Sequence, residues 1–548
     1  MRPLDWLVLA GSLVFIVVYG LWRGRDSDTV NKYLLAGKSM PWYAMALSIM
    51  ATQASAITFI STTGQAYVDG MRFVQFYFGL PLAMIILSVT AAPVFHRAKV
   101  YTAYEYLEQR FDAKTRALVS VIFLIQRGLA TGVALNATVI VLSVLLGWPD
   151  RASTLVMGSL VVLYTTLGGI KAVTWTDVQQ MLIMVLGLVA ALTMAVSLLP
   201  NDVSFAGALR IAGAAGKLNP VVFRFDWQDR YNLWSGLVGG MFLALAYFGC
   251  DQSQVQRYLT GRSIAQSRLS LLFNAAAKVP MQFSILLIGA VLFVFYTFEK
   301  PPLLFHRAEL ERIRATGAEF ERLESRWDAA FGKRRAAARA FLSGGSPEDY
   351  RAAHREMEAV RRDGVLLVEK AGGTANLNDT NYIFLSFVTR YLPAGLVGLI
   401  MAAIFAAAMS TISAEINSLA TVSVIDIYQR HFRRRAGDRH YLNASRAATV
   451  FWGVYAVVTA EFGKNLGSLI EAVNMLGSLF YGGMLGVFVL AFYFPRVGGT
   501  AAFIGVLCGE AAIFSAHLFT RIPFLWYNVL GCLVVLASAG AWSRLARK

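Results

Sequence analysis

The sequence predicts an all-α polytopic membrane protein made of two inverted halves, and three observations support this fold class. The chain of 548 residues is 57% hydrophobic and has a mean hydropathy of +0.54, which is typical of a protein that lies mostly within a bilayer. Its apolar runs approach the roughly 20 residues that a membrane helix needs. Two of these runs, at the start of each half, are interrupted by polar residues or glycines, a pattern typical of inverted-repeat transporters.

About thirteen spans are predicted from runs of roughly 20 apolar residues. They cover residues 4–22, 41–64, 74–95, 118–147, 153–167, 177–199, 232–249, 270–297, 395–424, 444–461, 467–493, 499–519 and 525–543. The first run is interpreted as a retained span and not as a signal peptide, because Arg23 and Arg25 follow where a small-residue cleavage site would be needed.

The net charge of +17 is interpreted as an orientation signal. With the N-terminus outside, basic clusters such as residues 433–435 fall in cytosolic loops, as the positive-inside rule requires. The sequence therefore predicts a multi-pass protein of the plasma membrane, the inner membrane in bacteria, with a cytosolic C-terminus. Because orientation and lipid contact account for the basic excess, the lipid bilayer is an expected partner and nucleic acid is not.

The second and seventh spans are predicted to be broken helices. In the second, Thr52, Gln53 and Ser55 interrupt the apolar run, and an unwound stretch there would expose carbonyl groups to a cavity or an ion. The seventh carries four glycines, each of which weakens a helix by about 1 kcal/mol relative to alanine. Close helix packing through small residues is the alternative for each span alone. If each broken span opens a unit of five, the odd number of crossings inverts the second unit relative to the first.

These units give the predicted domain organisation. It comprises an N-terminal span with the first cytosolic loop (1–40), a first repeat (41–199), an outer loop (200–231), a second repeat (232–494) and two C-terminal spans (495–548). Residues 298–379 interrupt the second repeat with a block of mixed charge and helical periodicity, which predicts a small helical hairpin on the outer side. Ser346 and Pro347 predict the start of one of its helices.

The ninth span is unusually polar for a membrane helix. It contains Ser410, Thr411, Ser413, Glu415, Asn417 and Ser418. At helical spacing these residues form two neighbouring rows, and polar groups within a membrane indicate a transport pathway or an ion site. For any one hydroxyl, a hydrogen bond back to the carbonyl four residues earlier remains an alternative.

Other charged groups fall within or beside the predicted spans. Asp177 follows a pair of glycines in the stretch 168–180, where an ion moving toward the cytosol would meet its carboxylate. Lys278 needs a partner or a route to the interface. Arg127 is expected to pair with an acid that the sequence does not identify, and residues 251–263 are predicted to form a polar cytosolic segment.

Catalytic chemistry is not indicated. The six histidines and three cysteines show no metal-ligand spacing, and no hydrolase or nucleotide-binding motif is present. We therefore do not expect an enzyme or a bound cofactor.

Four stretches closely resemble motifs of the sodium:solute symporter family, to which the sodium/glucose, sodium/iodide and sodium/proline cotransporters belong. They are YTAYEYLEQRF (101–111), GGIKAVTWTDVQQ (168–180), DQSQVQRYL (251–259) and GLIMAAIFAAAMSTISAEINSLATVSVIDIY (398–428). The resemblance implies an inverted repeat of the leucine-transporter type, with one extra N-terminal and two extra C-terminal helices. It also implies symport of a solute with Na⁺, the coupling ion, by alternating access.

The resemblance implies a sodium site built from carbonyl and hydroxyl oxygens. The matching positions are Ala51, Ala54, Ala407, Ser410 and Thr411. Some relatives bind a second sodium, for which Asp177 and Ser413 match in part. Ala414 stands where a further hydroxyl is expected, and Glu415 is a possible replacement ligand.

The same resemblance implies a solute cavity with an aromatic gate. Its candidate residues are Gln53, Thr58, Tyr77, Tyr247, Lys278 and Asn474. Sugar-transporting relatives carry more polar residues at the positions of Thr58, Tyr77 and Ala244, so we expect a less polar cavity than a sugar site.

The sequence therefore favours sodium-coupled symport of a small organic solute. Two alternatives of other kinds stay open: a proton-coupled carrier that uses Glu415 or Asp177, and a solute sensor. A sensor is less expected because the chain ends at Lys548, shortly after the last predicted span. A membrane enzyme is the most remote alternative. The sequence does not distinguish sugars, monocarboxylates, vitamins and anions as the solute, nor does it indicate the oligomeric state.

Overall fold

The protein is all-helical in the residues that the computed structural model describes, which are 2–146, 150–461 and 469–546. No strand occurs among them. A helix satisfies its backbone N–H and C=O groups internally, and this is what a chain of long apolar runs requires within a bilayer. The far ends of two predicted spans, residue 147 and residues 467–468, lie outside the described parts of the chain.

The helices of the first part are α1 (Pro3–Gly24), α2 (Val30–Leu35), α3 (Trp42–Gln53), α4 (Ala56–Asp69), α5 (Leu80–Val89), α6 (Ala91–Ala98), α7 (Ala103–Arg110), α8 (Ala113–Leu146), α9 (Asp150–Ser197) and α10 (Phe205–Ala214). Those of the second part are α11 (Gly240–Gly249), α12 (Gln252–Leu259), α13 (Ile264–Phe298), α14 (Arg307–Arg314), α15 (Ala318–Leu342), α16 (Pro347–Lys370), α17 (Thr380–Tyr391), α18 (Leu396–Val422), α19 (Asp438–Ala460), α20 (Leu469–Tyr493), α21 (Gly499–Phe519) and α22 (Leu525–Leu545). Short 3₁₀ segments (Ala36–Lys38, Gly70–Tyr77) and π-helical segments (Ser235–Gly239, Ser423–Phe432) adjoin them.

Nine helical stretches among the described residues are long and apolar enough to cross a membrane. Two of them, Ala56–Ala98 and Arg151–Ser197, are 43 and 47 residues long. At 1.5 Å per residue, each is long enough for two crossings of a hydrocarbon core about 30 Å thick. Several apolar membrane helices are thus present, and the total of thirteen spans stays a prediction.

The predicted break in the second span is present, between α3 and α4. Ala54 has φ −91° and ψ 67°, and Ser55 has φ −74° and ψ 171°, so two successive residues leave the helical conformation. The break lies at the end of the interrupted stretch that the sequence indicated.

The predicted break in the seventh span is present, and it directly follows the last of the four glycines. The helix continues through the first three glycines by way of the π-helical turn and ends at Gly249, and Cys250, which has φ −124°, separates it from α12. Gly236 permits close packing, because a Cβ there would overlap the carbonyl oxygen of Gln75.

The segment after this break is not a cytosolic loop, which corrects the sequence-based interpretation. α12 is buried along its whole length, and Asp251 and Gln252 are 0% exposed. Its polar side chains find partners inside the protein: the Gln256 amide donates to the Leu34 carbonyl oxygen (2.7 Å) and to Asn417 Oδ1 (3.0 Å). Internal hydrogen bonds thus make a polar helix compatible with burial.

The paired glycines in α9 break that helix, as the sequence predicts. Gly169 has φ +59° and ψ −163°, a conformation that only glycine adopts readily. A Cβ there would also come within 2.6 Å of the Tyr33 carbonyl oxygen. Asp177, proposed above as a carboxylate that an ion moving toward the cytosol would meet, lies two turns further on, within the second part of α9.

The core of the molecule surrounds α18. Every residue from 400 to 422 is buried, and the helix packs most extensively against α9, with further contacts to α1, α3, α8 and α19. A helix that is buried on all sides has no solvent-facing or lipid-facing surface for polar groups. The polar residues of α18 therefore face other protein groups.

The inserted block forms the three helices α14, α15 and α16. α15 and α16 pack as an antiparallel hairpin, with ion pairs across it such as Lys333–Glu356 (2.7 Å). An apolar cluster that includes Trp327 lies between them. Ser346 Oγ accepts the N–H of Glu348, and Pro347 occupies the first turn, so the predicted helix start is confirmed.

Candidate functional site

The break between α3 and α4 lies against α18. Thr411 Oγ1 is 2.9 Å from the carbonyl oxygen of Thr52 and 3.1 Å from that of Ala407, one turn back. Ala51 and Ala54 are buried at the break itself. The structure thus places Thr411 and Ala407 of α18 against the break at which Ala51 and Ala54 lie.

The fifth residue, Ser410, faces a carboxylate. Its hydroxyl donates to Asp177 Oδ1 at 2.6 Å, and the Ser48 hydroxyl donates to Oδ2 at 2.5 Å. Ser413 Oγ donates to the Ser410 carbonyl oxygen at 3.0 Å. Ser410 therefore connects the predicted sodium site to the region predicted for a second cation.

Arg257 is the charged partner of Asp177. Its Nη2 is 3.4 Å from Asp177 Oδ2, both side chains are buried, and its Nε donates to Thr52 Oγ1 at 2.7 Å. One guanidinium thus compensates the buried carboxylate and holds the last turn of α3. The sequence missed Arg257 because it placed this residue in a cytosolic loop.

Glu415 is not brought to Asp177. Its Oε1 accepts from Arg127 Nη1 at 2.8 Å. Arg127 Nη2 contacts the Asp251 carboxylate and donates to the Tyr481 hydroxyl at 2.5 Å, and that hydroxyl donates to Asp251 Oδ2 at 2.9 Å. Glu415 therefore belongs to a separate buried charge cluster, which we call the Arg127 cluster: Arg127, Asp251, Glu415 and Tyr481.

A cavity of about 100 Å³ lies between the break and the Arg127 cluster. Five of the six predicted cavity residues line it: Gln53, Thr58, Tyr77, Tyr247 and Asn474. Thr52 and Thr411, of the sodium-site junction, line it as well. The same walls therefore border both candidate sites.

Lys278 does not line this cavity. Its side chain is fully buried, with Nζ 5.6 Å from the centre of the Tyr77 ring, and Nζ makes no hydrogen bond within the described chain. The sequence analysis allowed this side chain to extend to the membrane interface, but the side chain is enclosed within the protein.

No member of the Arg127 cluster was predicted as a cavity residue, and Glu415 was predicted only as a cation ligand. Arg127 was recognised as a buried charge without a known partner, and Asp251 was placed in a loop. Asp251 caps α12 by accepting the N–H of Ser253. A carboxylate directly after an apolar helix, at the start of a polar run, was the available signal. Tyr481 gave none, because a tyrosine within an apolar helix is usually a packing residue.

After the C-terminal end of α18, a second cluster of charges joins α7 and α8 to the π-helical segment Ser423–Phe432. Arg116 Nε donates to Asp426 Oδ1 at 2.7 Å, and its Nη1 is 2.7 Å from Glu108 Oε2. Burial acts to raise the pKa of Glu108, but hydrogen bonds from Arg430 and Arg116 outweigh it and lower that pKa below its usual value. These contacts tie the end of the core helix to its neighbours.

Comparison with known proteins shows the family of this chain. The model of the sodium:solute symporter family matches residues 33–303 and 364–509. The chain belongs to this family. The match stops at residue 303, before α14, and resumes at residue 364, within α16, so most of the insert lies outside the family pattern.

Curated relatives of the symporter carry different solutes. It is 28% identical to the sodium/glucose cotransporter of Vibrio parahaemolyticus, over 97% of this chain and 89% of that protein. It is 27% identical to the sodium/sialic acid symporter of Aliivibrio fischeri, covering 97% and 91%. It is also 27% identical to the human sodium-coupled monocarboxylate transporter 1, covering 92% and 72%.

A solved structure of a Na⁺-coupled sialic acid symporter, in a substrate-bound outward-open state, has a similar fold. The TM-score is 0.79 at 24% identity, over 99% of this chain and 98% of that one. The symporter therefore has an all-helical fold of the leucine-transporter type.

Proposed function

We propose that the protein is a sodium-coupled symporter of a small organic solute that works by alternating access. The observation that carries the proposal is the junction at Thr411, where the core helix α18 meets the break between α3 and α4 beside the cavity. In inverted-repeat transporters, coupling ions and solutes bind at such breaks. An ion bound there would contact the same residues that border the solute.

The proposed sodium ligands are the carbonyl oxygens of Ala51, Ala54 and Ala407 and the hydroxyl oxygens of Ser410 and Thr411. Hard cations of this kind prefer oxygen ligands, and neutral oxygens suit a monovalent ion. Each hydroxyl keeps a lone pair for the ion while it donates its hydrogen, to Asp177 from Ser410 and to a backbone carbonyl from Thr411. Arg257 already pairs with Asp177, so we place one sodium at the junction and none at Asp177.

The energetics of one sodium are sufficient for accumulation. Moving one charge across 100 mV supplies about 2.3 kcal/mol. A tenfold sodium gradient adds about 1.4 kcal/mol. Together they concentrate a neutral solute by several hundredfold, which is adequate for a nutrient carrier.

The orientation and location remain those that the sequence predicts. We propose a multi-pass plasma-membrane protein with its N-terminus outside, two inverted repeats at 41–199 and 232–494, and the insert 298–379 on the outer side. The family and the apolar helices support a membrane transporter, and no enzymatic activity is proposed.

Sodium binding at the junction is tested with Thr411→Ala. We expect the thermal stability of the purified wild type to rise with Na⁺ concentration at constant ionic strength, with K⁺ as the replacement ion. Thr411→Ala should lower the apparent sodium affinity at least tenfold, because one ligand is lost. Thr297→Ala is the matched control, since that buried hydroxyl on α13 donates to the Phe293 carbonyl oxygen and is not among the proposed sodium ligands. An unchanged sodium response in Thr411→Ala would contradict the site.

A further inference from the structure

The wall of the solute cavity offers more hydrogen-bond acceptors than donors. Among the described residues that line it, the buried polar atoms without a hydrogen bond are Gln53 Oε1, Gln126 Oε1, Glu415 Oε2 and Arg127 Nε. The two amides can turn to present either end, but a carboxylate oxygen only accepts. The Thr131 hydroxyl also lies near the Glu415 carboxylate, but it donates its hydrogen to the Arg127 carbonyl oxygen at 2.8 Å. Glu415 Oε2 therefore still needs a hydrogen-bond donor, which a solute can supply.

The charge of the residues that line the cavity also favours a hydrogen-bond donor on the solute. Arg127 is the only Lys or Arg among the described residues lining the cavity, and it already pairs with both Glu415 and Asp251. One guanidinium faces two carboxylates, so with both carboxylates ionised the cluster carries one excess negative charge. A buried charge is costly unless it is paired and hydrogen-bonded. Sodium at the Thr411 junction would offset this charge from a distance, but it would not supply a hydrogen bond to Glu415 Oε2.

The wall also carries four aromatic rings. Phe76, Tyr77, Tyr247 and Tyr481 line the cavity, and the Arg127 guanidinium lies 5.4 Å from the centre of the Tyr247 ring. Aromatic faces attract cations, and the attraction is strongest where water is excluded. A cationic group on the solute would thus be favoured by both the carboxylate and the rings.

We propose that the transported solute carries a protonated primary or secondary amine, which donates an N–H to Glu415 Oε2. This inference rests on the proposed symport and names the solute class of that same cavity. A hydroxyl would supply the donor without the charge, and a charge-assisted bond is about twice as strong as a neutral one. A solute carboxylate would find Arg127 Nε as its one unpaired cationic donor among the described lining residues, and it would lie beside two carboxylates of the same sign.

The test compares solutes that share a carbon skeleton and differ in one group. The first set is glucosamine, glucose and glucuronate, and the second is alaninol, propane-1,2-diol and lactate. In saturating Na⁺, we expect the amine member of at least one set to stabilise the wild type against heat at a concentration at least tenfold lower than its hydroxyl and carboxylate partners. Preference for a hydroxyl or carboxylate member would overturn the proposal. So would the absence of any amine effect while Na⁺ still stabilises the protein.

A variant then assigns the preference to Glu415. Glu415→Gln should weaken amine binding at least tenfold and retain the sodium response, whereas Glu510→Gln should change neither. Glu510 is a matched control because it is another poorly exposed glutamate that does not line the cavity. Amine affinity that survives in Glu415→Gln would overturn the assignment. Loss of the sodium response in the wild type would instead contradict the proposed symport, so the two failures are distinguishable, and the solute comparison requires no variant to fold.

Discussion

Arg127 and Arg257 each compensate a buried carboxylate next to α18. Arg127 joins Glu415 and Asp251, which lie 288 and 124 residues away along the chain, and Arg257 joins Asp177. Removing one partner of such a pair leaves an unpaired charge within the protein, which costs more than the pair itself contributes. These side chains therefore hold the walls of the cavity and of the proposed sodium site in place.

The Arg127 cluster leads to a prediction about protein stability. We expect Arg127→Gln to destabilise the protein by about 3–5 kcal/mol, because two carboxylates lose their cation. Thermal denaturation in detergent measures the effect. Arg314→Gln is the control, since its exposed pair with Glu311 should contribute about 1 kcal/mol or less.

A double variant distinguishes unpaired charge from lost packing as the cause of the destabilisation. Adding Glu415→Gln to Arg127→Gln removes one of the two unpaired carboxylates, so part of the lost stability should return. A double variant that is as unstable as the sum of the two single variants would show that lost packing, not unpaired charge, causes the effect.

The sequence identified some residues of the candidate site and not their partners. Ser410 and Thr411 stand out because hydroxyls are unexpected in an apolar helix. Periodicity describes one helix at a time, so it gives no information on contacts between residues that are far apart in the chain. For this reason Arg127 was recognised as a buried charge, while its pairing with Glu415 and Asp251 was not.

Close contacts between helices depend on glycines at particular positions. Gly64 on α4 faces the backbone of Thr380 at the start of α17, and a Cβ there would overlap the Thr380 carbonyl oxygen. Backbone cannot move aside as a side chain can, so the two helices would have to separate. Small residues at helix contacts are a common means of close approach in membrane proteins.

Gly64→Ala should therefore be destabilising, by about 1–3 kcal/mol as an overpacked substitution. The measurement is the thermal denaturation temperature of the purified protein. Gly11→Ala on α1 is the matched control, because a Cβ there has no neighbour within 4 Å among the described residues. Equal behaviour of the two variants would contradict the packing argument.

The sequence predicted helix breaks correctly where local residues determine them. It assigned a polar helix incorrectly where that helix is buried. The interrupted second span and the paired glycines at 168–169 predicted two breaks, and both are confirmed. The polar run of α12 was assigned to a cytosolic segment, because polar runs are usually exposed to solvent in soluble proteins. Here Gln256 and Arg257 form hydrogen bonds within the bundle, so polarity indicates an internal network instead.

At the scale of the whole molecule, the proposed ion site and the cavity share one helix junction. Thr52 and Thr411 belong to both, and α18 connects that junction to the Arg127 cluster one turn further along. The composition, the span lengths and the two broken helices were sufficient to predict the all-helical membrane fold. The solute class depends on side chains that meet only in three dimensions, so the sequence alone did not predict it.

Gradient-driven uptake tests the central claim of sodium coupling most directly. The protein is reconstituted into proteoliposomes, and uptake of the solute that stabilises it most is measured under an inward Na⁺ gradient at equal pH and under an inward proton gradient at equal Na⁺. We expect accumulation with the Na⁺ gradient alone and its loss in Thr411→Ala but not in Thr297→Ala. Accumulation driven by the proton gradient and independent of Na⁺ would contradict the account.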